Sequence, residues 1–175
     1  ERLMNFDPTI LHKKQAAEIQ PKYRYTGDSP FLWYQEKCRD RLSALLGMDT
    51  FRRCDPIFKI TEDKRENGHR HIHFTLQTEE EYFTHCDILL PAKQTGPLPL
   101  CVCLQGHSTG AHISLGIVKY PRDEESIHGG DRDFAVRAVK EGFGALAVEQ
   151  RGFGQCGGTD KGPACERPSM TALLL

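Results

Sequence analysis

Residues 97–110, PLPLCVCLQGHSTG, hold the pattern on which the fold turns. From Leu98 to Leu104 the run is apolar at odd and even positions alike, interrupted only by Pro99. A strand apolar on both parities is expected to be buried on both faces, as in a parallel sheet. Gln105 to Gly110 then leave that strand as a polar, glycine-containing loop. Further on, GGDRDFAVRAVKEGFG (129–144) predicts a helix with Asp131 as N-cap, Phe134, Ala135, Ala138 and Val139 on one face, and Gly142 as the stop. GALAVEQ (144–150) is a second buried strand. The two strands and the helix form a strand-helix-strand unit with an irregular insert at 107–130, and such a crossover makes its strands parallel neighbours.

Upstream, PFLWYQEKCRDRLSALL (30–46) places Phe31, Tyr34, Cys38, Leu42, Leu45 and Leu46 at helical spacing between Ser29-Pro30 and Gly47, an amphipathic helix with start and stop signals. IFKITEDKRENGHRHIHFTLQT (57–78) sets Asn67-Gly68 between two alternating runs, which predicts a hairpin with strands near 57–65 and 70–78. YFTHCDILLP (82–91) supplies another extended segment. Residues 151–168 are rich in glycine and proline, and Ser169 is placed to cap a further helix. The expected class is α/β, a mixed sheet of the α/β-hydrolase type that opens with an antiparallel hairpin and continues as parallel strand-helix-strand units. Residues 1–54 form an N-terminal extension and 55–175 the sheet domain. In such sheets ligands gather beyond the C-terminal ends of the parallel strands, where 105–110 lie.

The 23 basic and 24 acidic residues nearly cancel, and no basic run alternates with aromatics, so nucleic acid is not an expected partner. No window reaches the length of a membrane span, and the first residues lack the order of a secretion signal. Seven cysteines in no scaffold spacing point to reduced thiols and a cytoplasmic setting, with Cys101 and Cys103 as small core residues; Cys156 and Cys165 are either a bridge or two loop thiols. The start at Glu1 and the uncapped apolar run at Thr171–Leu175 have the pattern of a fragment.

Gly106-His107-Ser108-Thr109-Gly110 fits G-x-S-x-G, the pattern of a nucleophile elbow in which Ser108 would attack. That role requires an acid and then a histidine on later strands, whereas the histidines after Ser108 are His112 and His128, neither following a further parallel strand. The same stretch serves more simply as an oxyanion loop, with the His107 amide as donor, Gly106 allowing close backbone approach, and Ser108 and Thr109 satisfying the loop. A plain strand-to-loop turn is the third possibility. Gly152-Phe153-Gly154-Gln155-Cys156-Gly157 spells G-x-G-x-x-G but opens no helix, which argues against nucleotide binding. His128-Gly129-Gly130 follows no apolar strand and is expected to be a solvent loop. His69, His71 and His73 share one strand face; they are expected to be exposed, with zinc binding by a scaffold module as the alternative.

The opening hairpin, PLPLCVCLQGHSTG and GGDRDFAVRAVKEGFGALAVEQRGFGQCGG together resemble the N-terminal half of an α/β-hydrolase, in the branch of acetyl-xylan-esterase-like and dienelactone-hydrolase-like proteins. The resemblance runs from about residue 55 to the end and is most specific over 98–158. It implies an ester hydrolase working through a serine acyl-enzyme on a small ester, without cofactor or metal. Residues 105–108 then take the oxyanion position, with Gln105 where such proteins commonly carry histidine, and Arg151 ties its loop to neighbouring strands or is a surface arginine. The nucleophile, acid and catalytic histidine would lie beyond Leu175.

Overall fold

The structure is a computed structural model and describes residues 6–93, 96–106 and 109–157. The chain divides into two units, residues 1–49 and 50–175. The first holds helix α1 (Thr9–Glu18) and helix α2 (Phe31–Leu45). α2 is the helix expected from the 30–46 pattern; Pro30 occupies the cap position and no side chain of α2 is buried. Tyr25, Phe31 and Tyr34 pack their rings together instead, and the Lys37 ammonium lies 4.5 Å from the centre of the Trp33 ring. α1 was not foreshadowed by the sequence: its apolar residues form no continuous stripe, and its first turn is organised locally by the Asp7 carboxylate, which accepts from the Thr9 amide at 2.9 Å.

The second unit is built on five strands, β1 (Phe58–Glu66), β2 (His69–Glu79), β3 (Tyr82–Pro91), β4 (Leu100–Cys103) and β5 (Gly144–Val148), in the order β1-β2-β3-β5-β4. Asn67 and Gly68 join β1 to β2 with φ of 48° and 79°, the mirror-image turn that matches strand twist and that Asn-Gly adopts at least cost. β1, β2, β3 and β5 pair antiparallel in sequence, while β4 and β5 pair parallel through Cys101–Ala145 and Cys103–Ala147. The mixed sheet expected from the sequence is therefore present.

Helix α3 (Phe134–Lys140) follows the insert and covers one sheet face. The core there joins Ala135 to Leu89, Cys103, Ala111, Ala145 and Ala147, and all but Leu89 are small residues that let helix and sheet approach closely. The expected Asp131 cap is corrected: Asp133 is the N-cap, while Asp131 has φ of 52°, incompatible with helix entry, and pairs its carboxylate with Arg137 at 2.5 Å. Phe134 is exposed and Val136 takes its expected place in the core.

The expectation for Leu98–Leu104 is also corrected. β4 is four residues long and, among the described residues, pairs on one side only. Cys101 and Cys103 face α3, whereas Leu100, Val102 and Leu104 point the other way, with Val102 57% exposed. The sequence recorded an apolar face whose cover does not lie among the described residues.

Candidate functional site

Strand register brings the site together. Cys101 lies opposite Ala145 and Cys103 opposite Ala147, so one step further Gln105 meets Glu149 on the same face. Glu149 is 5% exposed. Its Oε1 accepts from the Gln105 side-chain amide at 3.1 Å and from the Ala111 backbone N–H at 2.9 Å, and its Oε2 accepts a longer bond from the Gln155 N–H at 3.4 Å. Burial pushes the Glu149 carboxyl above its ordinary pKa, against the opposing pull of the Ala111 and Gln155 amides.

Two glycines make room for this carboxylate. A Cβ on Gly154, which has φ of 41°, would fall on the Glu149 carboxylate itself. One on Gly110 would lie 2.9 Å from His112 Nδ1 and 3.1 Å from Glu149 Oε2. The loop's other partners are equally direct. Gln150 donates its side-chain amide to the Gln105 carbonyl at 2.6 Å, and the Gly154 N–H donates to the Thr109 carbonyl at 3.1 Å.

Behind the loop, Asp123 is fully buried. It accepts from the Thr109 hydroxyl at 2.6 Å, from His112 Nε2 at 2.9 Å, and from the backbone N–H groups of Lys119 and Tyr120 at 3.0 and 2.8 Å. Burial raises this carboxyl, but those hydrogen bonds outweigh it and bring the pKa down to about 2. Hydroxyl, imidazole and carboxylate resemble a catalytic triad in composition only. A triad places acid and nucleophile on opposite ring nitrogens, whereas here the Thr109 hydroxyl and Asp123 meet the same Nε2. His112 Nδ1 is buried without a protein partner. The cluster is a fastening for the insert.

Of the predicted site residues, Gly106 is exposed at the mouth of the loop with nothing within 4 Å of a Cβ built on it. His107 and Ser108 lie outside the described residues, as does Cys165. Arg151 does make a tie: its guanidinium pairs with Glu79 and lies 4.7 Å from the centre of the Tyr82 ring, joining the loop after β5 to the β2–β3 turn. His128 sits in a wide helical turn (Glu125–Gly129) away from these contacts.

The exposed histidine face is corrected. His71 is 8% exposed, and its Nε2 and the Nδ1 of His73 meet the same Asp87 oxygen at 2.6 and 2.8 Å. That bond raises the His71 pKa, and the two imidazoles lower Asp87 against its burial. His69 is not part of the cluster, and among the described residues no group of three or more His, Cys, Asp or Glu is arranged to hold a metal ion.

Neither a protein-family model nor a curated protein matches the sequence. Among solved structures, the crystal structure of "a putative acetyl xylan esterase" from Bacteroides fragilis matches with a TM-score of 0.67 at 17% identity, covering 97% of this chain. The fold is partly α/β-hydrolase-like. This chain spans 42% of that protein's length.

Sequence reasoning missed Glu149, Asp123 and Asp87. For Glu149 a signal was available, since Ala145, Ala147 and Glu149 share a parity and an acid continuing a buried strand face must have a dedicated partner. Asp123 and Asp87 had none, because their partners come from turns and neighbouring strands that local pattern does not fix.

Proposed function

We propose that this chain is the N-terminal part of an α/β-hydrolase-fold ester hydrolase in which residues 105–108 form the oxyanion loop. A serine hydroxyl supplied from outside these residues would add to the ester carbonyl, passing its proton to a base. The backbone N–H of His107 would stabilise the negative oxygen until the alcohol leaves and the acyl-enzyme remains. The observation that carries the reading is the position of Gln105–Gly106, at the C-terminal end of a parallel strand in a sheet like that of part of the esterase. Short acyl esters, acetyl among them, are the proposed substrates.

Fluorophosphonate labelling tests it, with circular dichroism to establish folding and peptide mapping to locate any adduct. This chain is expected to be folded, unlabelled and without turnover of a short chromogenic ester, since a loop without a nucleophile forms no acyl-enzyme. An adduct on Ser108 would make 106–110 an elbow and overturn the assignment.

A further inference from the structure

Two histidines to which the ester reading gives no role, His69 and His128, line one cavity of about 570 Å³. It lies between the β1–β2 turn, the insert and the flank of α3, beyond the start of β5 and so at the opposite end of the sheet from Gln105. Strand register builds one end of it. Pro91 pairs with His69, and a Cβ on Gly144, where β5 begins, would lie 3.4 Å from Leu90, so Lys140 at the end of α3 comes round beside His69. Gly116 builds the other end. With φ of 71° it lets the insert pass α3 so closely that a Cβ there would sit 3.6 Å from Val136 and 3.9 Å from Asp133.

Along this cavity α3 presents a stripe. Asp133, Val136 and Lys140 are spaced three and four apart, with Val139 beside Lys140, so a carboxylate, a hydrocarbon span and an ammonium follow one another. The two charges are about 10 Å apart along the helix axis, too far to pair with each other. The Asp133 carboxylate is half-buried and makes no cap bond to its own helix, and neither it nor the side chain of Lys140, His69 or His128 has a hydrogen-bond or ion-pair partner among the described residues. Leu115 from the insert joins Val136 and Val139, all three half-buried, as the apolar wall. Separated opposite charges joined by hydrocarbon complement a molecule that carries an amine and a carboxylate at the two ends of an apolar chain. We infer that this cavity binds an ω-amino carboxylate, with its ammonium on Asp133, its carboxylate on Lys140 and His69, and its methylenes against Leu115, Val136 and Val139.

The test is an NMR titration of the full 175-residue chain with ω-aminocaproate, and with caproate and hexylamine, which carry one of its charges each. The ω-amino acid should give saturable shifts at the Gly68, Gly116 and Val139 amides while that of Glu149 stays still. Each one-charge analogue should bind at least about tenfold more weakly, the scale of losing one hydrogen-bonded charge. Lys140→Ala should weaken ω-aminocaproate and caproate and leave hexylamine as it was; Asp133→Asn, which keeps a residue suited to a helix cap, should weaken ω-aminocaproate and hexylamine and spare caproate. Equal affinities for the three probes, shifts that do not saturate, or unchanged ω-aminocaproate binding in Lys140→Ala would overturn the proposal. If Asp133→Asn does not fold, the exposed Lys140 decides through its own pair of analogues. Ester turnover enters none of these readouts, so the site stands or falls apart from the oxyanion reading.

Discussion

Glu149 and Asp123 are two buried carboxyls on opposite sides of one loop, and their environments push them in opposite directions. Asp123 has a folded-state pKa of about 2 against an ordinary value of 3.8, so the unfolded chain binds its proton first as pH falls. Its contribution is complete above about pH 4 and disappears as pH drops through about 2. Glu149 behaves conversely: the folded state keeps the proton longer, so its contribution is present below its ordinary 4.5 and declines as pH rises beyond that. Urea midpoints between pH 3 and 7 should therefore show Asp123→Asn removing the rise at the acid end and Glu149→Gln removing a decline further up. At pH 7, Asp123→Ala should cost about 3 kcal/mol by leaving His112, Thr109 and two amides without their acceptor. Glycines offer a matched pair: Gly154→Ala should cost about 2 kcal/mol or more, because a methyl meets the Glu149 carboxylate, while Gly106→Ala should stay within about 0.5 kcal/mol in the same urea assay.

Among the elements, those specified by neighbouring residues were the most legible. Asn67-Gly68 announced the hairpin because a positive φ at both turn positions admits few residue types, and Gly68→Ala should lower stability by about 1 kcal/mol in thermal unfolding while leaving the strand register intact. The stop of α3 at Gly142 was readable for a similar local reason, whereas its start was not: two aspartates, Asp131 and Asp133, compete as caps between Gly130 and Phe134, and only the backbone, with its positive φ at Asp131, decides for Asp133. β4 shows a different limit. Its apolarity is plain in LCVCL, yet sequence does not say whether a second face is covered within the same stretch of chain. Likewise His71 and His73 could be placed on one face by period, but the Asp87 that both imidazoles bond comes from β3 and enters through register alone. The candidate loop was found from glycine and strand pattern; its anchor was not, because the bond between Gln105 and Glu149 exists only once β4 and β5 are parallel neighbours.

At the scale of the sheet unit, one face is closed by α3 and the other carries Leu100, Val102 and Leu104 exposed along β4. Among the described residues β4 pairs on one side only, and an unpaired strand edge beside an apolar face promotes self-association. Val102→Lys should leave the circular dichroism spectrum unchanged and reduce the concentration dependence of light scattering. The strand order has a consequence in time as well. β1, β2 and β3 can zip as successive hairpins, but β5 must find β3 by pairing Cys86 with Val148, after the insert and α3 have been traversed, and β5 is the one partner of β4 among the described residues. Closing that distance costs chain entropy before any pairing repays it. Refolding followed by pulse-labelled hydrogen exchange should show β2–β3 amides protected first and those of β4 and β5 acquired together later, so that the loop held by Glu149 is among the last parts of the molecule to be born.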